Sequence, residues 1–586
     1  MASLAELDTS SYITELDKTP CIHEVFSTTD IPDIPQIRKE IEVPNNALSI
    51  ISKEFINQPE NIKNPTDICI VNTRVFLDEL SEKYNKPITI GTIPESEWQE
   101  LFKDHTSFWF MGIYKESQAG QDFCQKNPYC IRDVEYEIER QVNPEKDIGA
   151  SSFSIPEYTI NLKIAPGGWS EWDKMVDYLH QHNKKVFTDF VPNHVALDHS
   201  WATEHPDYFI QGTEEQFQKT PSLYYNVVDK DNNLHHIAHG KDPNYPQWDD
   251  TLQLNYANPD LQAAMIEVLI GNENGLINHC DGLRCDMAML LNSDTFIRTW
   301  GDKYFGGHLP GSEISYIKNN EFWPKVIAEV KARVRELGRD DFTFIAEAYW
   351  DIDKLGKNFD GIYYKELYDS LQVQNNDGNS ISINHDNIRE LLSLATKDRD
   401  GNNLNFKWNT FIENHDEQRA VKKFGEKASK AAAVISAFGP FTFLMNQNQE
   451  KGYRYRIPAQ FRHHLSETTN LSIKNFYDQI LKLRNSRLCQ KGEWSVVWPN
   501  PKMDSRIITV KYTLEDQTLY ITTNYCDQTS YGNLTQINHY DNAKVASLTD
   551  NKVIENFDQD RSNGLFIKLN PWESQIIFVD RKSNIN

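Results

Sequence analysis

A chain of 586 residues, 39% hydrophobic and 12% aromatic, is too long for one ordinary core and too apolar to be mainly disordered. Its formal net charge of −25 argues against nucleic acid as a partner, because polyanion binding needs basic patches that neutralise phosphates, whereas a neutral polymer meets no such repulsion. The longest apolar run, Ala431–Met445, is interrupted by Ser436, Gly439 and Pro440 and is shorter than a membrane span, so no membrane association is expected.

Residues 1–66 are polar and rich in Asp, Glu, Pro and Asn, and read as an N-terminal extension with one helical-looking piece near Ala47–Phe55. The opening residues lack the basic start and apolar centre of a secretory signal peptide, which points to the cytoplasm or to export by a route that uses no such peptide. Asp67–Arg74 then reads as a buried strand, followed by an amphipathic helix through Leu77, Leu80 and Tyr84. Ser107–Tyr114 is a second strand. After a long irregular segment, Ser170 is placed to cap a helix carrying Trp172, Met175, Val176 and Leu179, which leads into a third strand, Val186–Phe190.

Residues 195–255 break this rhythm with a turn-rich, His- and Tyr-bearing stretch too long for a simple connection, and read as an inserted small domain. Asn258-Pro259-Asp260 restarts it as cap, first helical residue and dipole-complementing acid, with Gly271 as the stop. Strands follow at Gly282–Asp286, Phe342–Glu347, Phe359–Tyr364, Thr410–Glu413 and Thr442–Met445. The helix Phe322–Leu337 precedes the fifth strand, and a last helix carries Phe476, Ile480 and Leu483. Eight strand-helix units predict a (β/α)₈ TIM barrel over residues 67–194 and 256–487. From 488 to 586 the alternation becomes that of an antiparallel β domain.

In such a barrel the C-terminal ends of the strands carry the chemistry. Here strand three ends in Asp189-Phe-Val-Pro-Asn-His194, strand four in Gly-Leu-Arg284-Cys-Asp286, strand five in Ala-Glu347-Ala and strand seven in Glu413-Asn-His415-Asp416. Period two puts Arg284 and Asp286 on one face of their strand, and a cation beside a carboxylate favours its ionised form, as a carboxylate nucleophile requires. Any one of these residues alone is as well explained by an ion pair or a turn; four strand ends delivering acids, Arg and His to one rim are not. The eight cysteines show no metal-ligand spacing and read as free thiols, with a local Cys124–Cys130 disulfide as the alternative for an exported protein.

These four segments resemble conserved regions one to four of the α-amylase family of glycoside hydrolases, and Leu252-Gln-Leu-Asn-Tyr256 is similar to a fifth short motif at the end of that family's inserted domain. The resemblance runs from about Cys69 to the C-terminus. It implies an enzyme on α-1,4-linked glucans such as glycogen, starch or maltodextrins, with Asp286 as nucleophile, Glu347 as acid and then base, and Asp416 gripping sugar hydroxyls. It implies that His194 and His415 hydrogen-bond the same sugar and that Asp189 supports Arg284. Phe153 falls where the family commonly has a Tyr platform under the cleaved sugar, with core packing as the equal alternative; Tyr158 is a weaker candidate, and Trp248 could stack on a sugar or anchor a loop. No cofactor is expected for the chemistry. Asn193 is read either as a turn former or, as the resemblance implies, as a ligand to a structural calcium, against which counts the presence of Met289 and Leu290 where many endo-acting members have Lys-His. The alternatives are a transglycosylase of the same family and, in another class, a non-catalytic carbohydrate-binding scaffold.

Overall fold

The computed structural model describes residues 46–57, 66–102, 105–301, 307–373, 382–537, 542–555, 559–560 and 563–581, all within the unit Asn45–Asn586. Eight parallel strands close into a barrel: β1 Asp67–Asn72, β2 Ser107–Met111, β3 Lys185–Phe190, β4 Gly282–Cys285, β5 Thr343–Ala346, β6 Gly361–Tyr363, β7 Lys407–Thr410 and β8 Thr442–Asn446, each paired with the next and β8 with β1. β2 and β4 are buried along their whole length, as strands covered on both faces must be. Gly282 opens β4 because a Cβ there would come within 2.5 Å of the Phe187 ring and the Thr343 carbonyl.

Three expectations are corrected. β7 ends at Thr410, three residues before the expected end, and residues 411–416 continue as an irregular loop. Ser170 lies inside its helix, Trp169–Gln181, which starts from Gly168 at φ 67°, a conformation glycine adopts without strain. The segment after β2 holds the helices Gln118–Lys126, Pro128–Ile138 and Pro144–Asp147, the first two capped by the side chains of Ser117 and Asn127. The Asn258 cap, Pro259 start and Gly271 stop are as expected.

The inserted segment leaves β3 through the strand His194–Ala196 and returns through Thr251–Gln253, and these two pair antiparallel to form a neck. Beyond the neck are a three-stranded sheet and a two-residue hairpin. The C-terminal region is a six-stranded antiparallel sheet packed near a three-stranded one. One apolar cluster runs from the barrel strands through the helix Glu426–Ala437 into this sheet, at Ile508, Leu519 and Ile576. Leu48, Ile50, Ile51 and Phe55 belong to the same cluster, so the last part of the expected extension packs as core. Among the described residues no helix is long and apolar enough to cross a membrane, and Cys124 and Cys130 are free thiols. Cys21 lies outside the described residues.

Candidate active site

The site is assembled where the barrel ladder runs one residue past the strands. The Asp286 amide donates to the Phe190 carbonyl at 2.8 Å and the Glu347 amide to the Cys285 carbonyl at 3.1 Å, so both acids sit on backbone fixed by sheet bonding. Between them Met287 adopts φ 44°, ψ 46°, the left-handed region that costs a side-chain-bearing residue energy. That turn aims its amide at Glu347 Oε2, 2.9 Å away.

Arg284, 1% exposed, is the hub. Its Nη1 lies 2.6 Å from Asp286 Oδ1 and its Nη2 2.6 Å from Glu347 Oε2, so one guanidinium spans both carboxylates; Asp189 Oδ1 stands 3.6 Å from Nη1. Three aromatic rings enclose the cation, Trp109 at 5.1 Å, Phe153 at 5.2 Å and Tyr363 at 5.9 Å from ring centroids, and the Tyr363 hydroxyl accepts from Nε at 3.4 Å. Such a cage fixes the orientation of the planar guanidinium, whose edge holds the acids.

One cation among three buried carboxyls leaves excess negative charge, and the titration of each group reflects it. Burial raises Asp286 above the ordinary carboxylate range, with Arg284 opposing and the Asp416 charge adding to the rise. Burial raises Glu347 too, against Arg284 and with the charges of Asp286 and Asp416; its Oε1 accepts from the Tyr349 hydroxyl at 2.7 Å. Burial lifts Asp189 to about 7. Arg284 is therefore shared by the cluster rather than dedicated to Asp286.

Asp416 stands on the rim, its side chain 51% exposed to the cleft. Desolvation would raise it, but His415 and Arg284 outweigh that and hold it below the usual range. Its position is set by Asn414, whose Oδ1 accepts from the Asp416 and Glu417 amides at 2.9 and 2.8 Å, while Glu413 anchors the loop by accepting from the Ala420 amide at 2.6 Å. His415 Nε2 lies 3.0 Å from Asp416 Oδ2, and its ring stacks on Phe153 at 5.1 Å. Phe153 is thus wedged, half-buried, between His415 and Arg284.

His194 lies on the neck strand, where burial lowers it to about 4 and keeps it neutral; its ring is 5.0 Å from that of Trp248. Tyr158 reaches the end of β3, but its hydroxyl accepts from the Val191 amide at 2.9 Å and donates to the Val191 carbonyl at 3.0 Å, so it braces the loop. Asn193 is 1% exposed and bonded to Gln253: Gln253 Nε2 donates to Asn193 O at 2.9 Å and Oδ1 at 3.1 Å. The Gln253 amide nitrogen and its hydrogens fill the point between these oxygens where a cation would sit, so the residues at Asn193 do not fit a calcium ion. Among the described residues no group of three or more His, Cys, Asp or Glu is placed to hold a metal.

Trp109, Tyr349 and Tyr363 escaped the sequence reading. Trp109 sits in an apolar run that reads as core, and only alternation with Met111 marks it as inward-facing; Tyr349, two residues after Glu347, carried a proximity signal.

A family model described as the alpha amylase catalytic domain matches residues 153–478, more than half of the chain. Alpha-amylase 3 of Dictyoglomus thermophilum is 22% identical over 284 residues, covering 46% of this chain and 48% of its own, and oligo-1,6-glucosidase of Bacillus cereus is 22% identical over 324 residues, covering 49% and 53%. The chain thus spans about half the length of the curated relatives it matches. The crystal structure of an alpha-amylase from Lactobacillus plantarum superposes with a TM-score of 0.58 at 15% identity, over 88% of this chain and 98% of that one, which shows the shared fold. On the catalytic-domain match and the closed barrel with its inserted and terminal β regions, the chain belongs to the α-amylase family of glycosidases.

Proposed function

We propose that this protein is a retaining glycoside hydrolase of α-1,4-linked glucans that works through a covalent glycosyl-enzyme. The observation that carries the reading is the Arg284 fork, which holds Asp286 and Glu347 on adjacent strand ends 2.6 Å from separate nitrogens of one guanidinium. Retaining glycosidases need two carboxyls about 5–5.5 Å apart, close enough for one to attack the anomeric carbon while the other protonates the departing oxygen. Arg284 engages Asp286 through Oδ1, leaving Oδ2 for attack. Glu347, raised by burial and by its acidic neighbours, gives its proton to the leaving oxygen as that bond breaks. It then takes a proton from water, whose oxygen attacks the anomeric carbon and releases Asp286. Asp416, ionised and open to the cleft, accepts sugar hydroxyls; His194 and His415 donate to the same ring, and Phe153 offers it an apolar edge.

The relatives' names include an amylase and an oligo-1,6-glucosidase, so the test covers both linkages. Purified protein is incubated with glycogen, maltoheptaose and isomaltose, with Asp286→Asn and Glu347→Gln in parallel. Shorter α-1,4 products with new reducing ends are expected, falling about 10²–10⁴-fold in Glu347→Gln, which retains glucan binding. Unchanged turnover in that variant would overturn the assignment. Cleavage confined to isomaltose would move the substrate to α-1,6 linkages.

A further inference from the structure

We propose that in this chain the carboxamide of Gln253 takes the place of a structural calcium, forming a metal-free clasp that locks the inserted segment to the end of β3 and fixes the turn carrying His194. The neck has only three paired residues on each side, Thr251–Gln253 against His194–Ala196, so something else must fix its angle to the barrel. Gln253, wholly buried, supplies it. Its Nε2 donates to Asn193 O at 2.9 Å, to Asn193 Oδ1 at 3.1 Å and to Leu254 O at 3.1 Å, while its Oε1 accepts from Asn193 Nδ2 at 3.3 Å. The amide orientation follows from these neighbours: reversed, the oxygen would face three acceptors and the NH₂ would face the Asn193 NH₂. Around the clasp, the Leu254 amide donates to Asn193 O at 3.2 Å and the Tyr256 hydroxyl to Pro192 O at 2.7 Å.

Three oxygens converging on one buried point would suit a hard cation, and here an amide nitrogen occupies that point. The same amide sits opposite His194 in the strand pairing, and Asn193 Nδ2 lies 3.3 Å from His194 Nδ1, so the clasp also orients the imidazole. A side chain fixed by folding cannot be extracted by a chelator.

The test uses the full chain. After exhaustive chelation and again in millimolar calcium, the wild type is expected to show the same melting temperature within error and, by elemental analysis, no stoichiometric calcium. Gln253→Glu points a carboxylate at the three oxygens and should melt several degrees lower without metal, with calcium restoring most of the loss. A wild-type melting temperature that falls on chelation and recovers with calcium would overturn the proposal. So would a Gln253→Glu protein as stable as the wild type in chelator. Should that variant fail to fold, the wild-type melting and elemental analysis decide alone.

Discussion

At the scale of the residue, the cluster works by rationing positive charge. Four carboxyls face one guanidinium, and burial raises three of them, Asp189, Asp286 and Glu347, while the rim acid Asp416 stays ionised. Protein dipoles then decide where the proton resides. Oε2 of Glu347 accepts from Arg284 and from the Met287 amide, so Oε1, shared with Tyr349, is the oxygen left to carry it. Donation by the Tyr349 hydroxyl stabilises the charged form, so its removal should raise the Glu347 pKa. A general acid acts while protonated, so the alkaline limb of kcat/KM in Tyr349→Phe is expected to move up. A shift of about one pH unit matches the worth of one hydrogen bond to a charged group. A limb that stays in place would show that Tyr349 does not set this titration; activity measured from pH 5 to 9 decides.

At the scale of the element, the helices after β2 act as a strap across the rim. Glu137, near the end of Pro128–Ile138, accepts from Gln418 Nε2 at 2.6 Å and pairs with Arg456 at 3.0 Å, and Glu139 pairs with Lys422 at 2.9 Å. Arg140 lies over the Phe461 ring at 5.4 Å. The strap thereby ties the loops after β7 and β8 together beside Asp416, whose ionised form the Arg456 charge also favours. Glu137→Ala strands Arg456, whose side chain is 18% exposed, and is expected to cost about 2–3 kcal/mol, below the full value of a broken buried pair. Thermal melting would register the loss, and limited proteolysis should cut the variant first within residues 118–147.

At the scale of the whole molecule, the barrel and the terminal sheet share one apolar cluster and a set of buried polar ties. Arg389, wholly buried on a barrel helix, donates through Nη2 to the carbonyls of Ser505 and Ile507, the latter at 3.0 Å, and through Nη1 to Asp386 at 2.7 Å. The Tyr525 hydroxyl donates to Leu371 O, and Ala47 N donates to Asn551 Oδ1 at 2.8 Å, pinning residues 46–57 to the sheet. Joined in this way, the parts are expected to unfold together. Calorimetry should show one main transition, and Arg389→Ala, which removes these bonds and leaves carbonyls unpaired, should lower stability by about 2–4 kcal/mol without splitting it. Two separate transitions in the wild type would contradict the shared core.

The sequence by itself determined the barrel and its rim acids, because strand burial and helix periodicity are local patterns. Arg284 and Asp286 are two residues apart at the end of β4, and Glu347 directly follows β5, so continuing the strand alternation predicts where they point. The Asn258 cap was legible for the same reason, whereas Ser170 misled because a good capping residue two positions after Gly168 loses to the glycine's access to positive φ. Only the tertiary structure decided that Arg284 serves three acids at once, that Trp109 and Tyr363 enclose it, that Tyr158 spends its hydroxyl on Val191, and that Gln253 meets Asn193 across 60 positions. Those contacts depend on distances between strand ends set by barrel closure, and nothing in the order of residues along one segment encodes them.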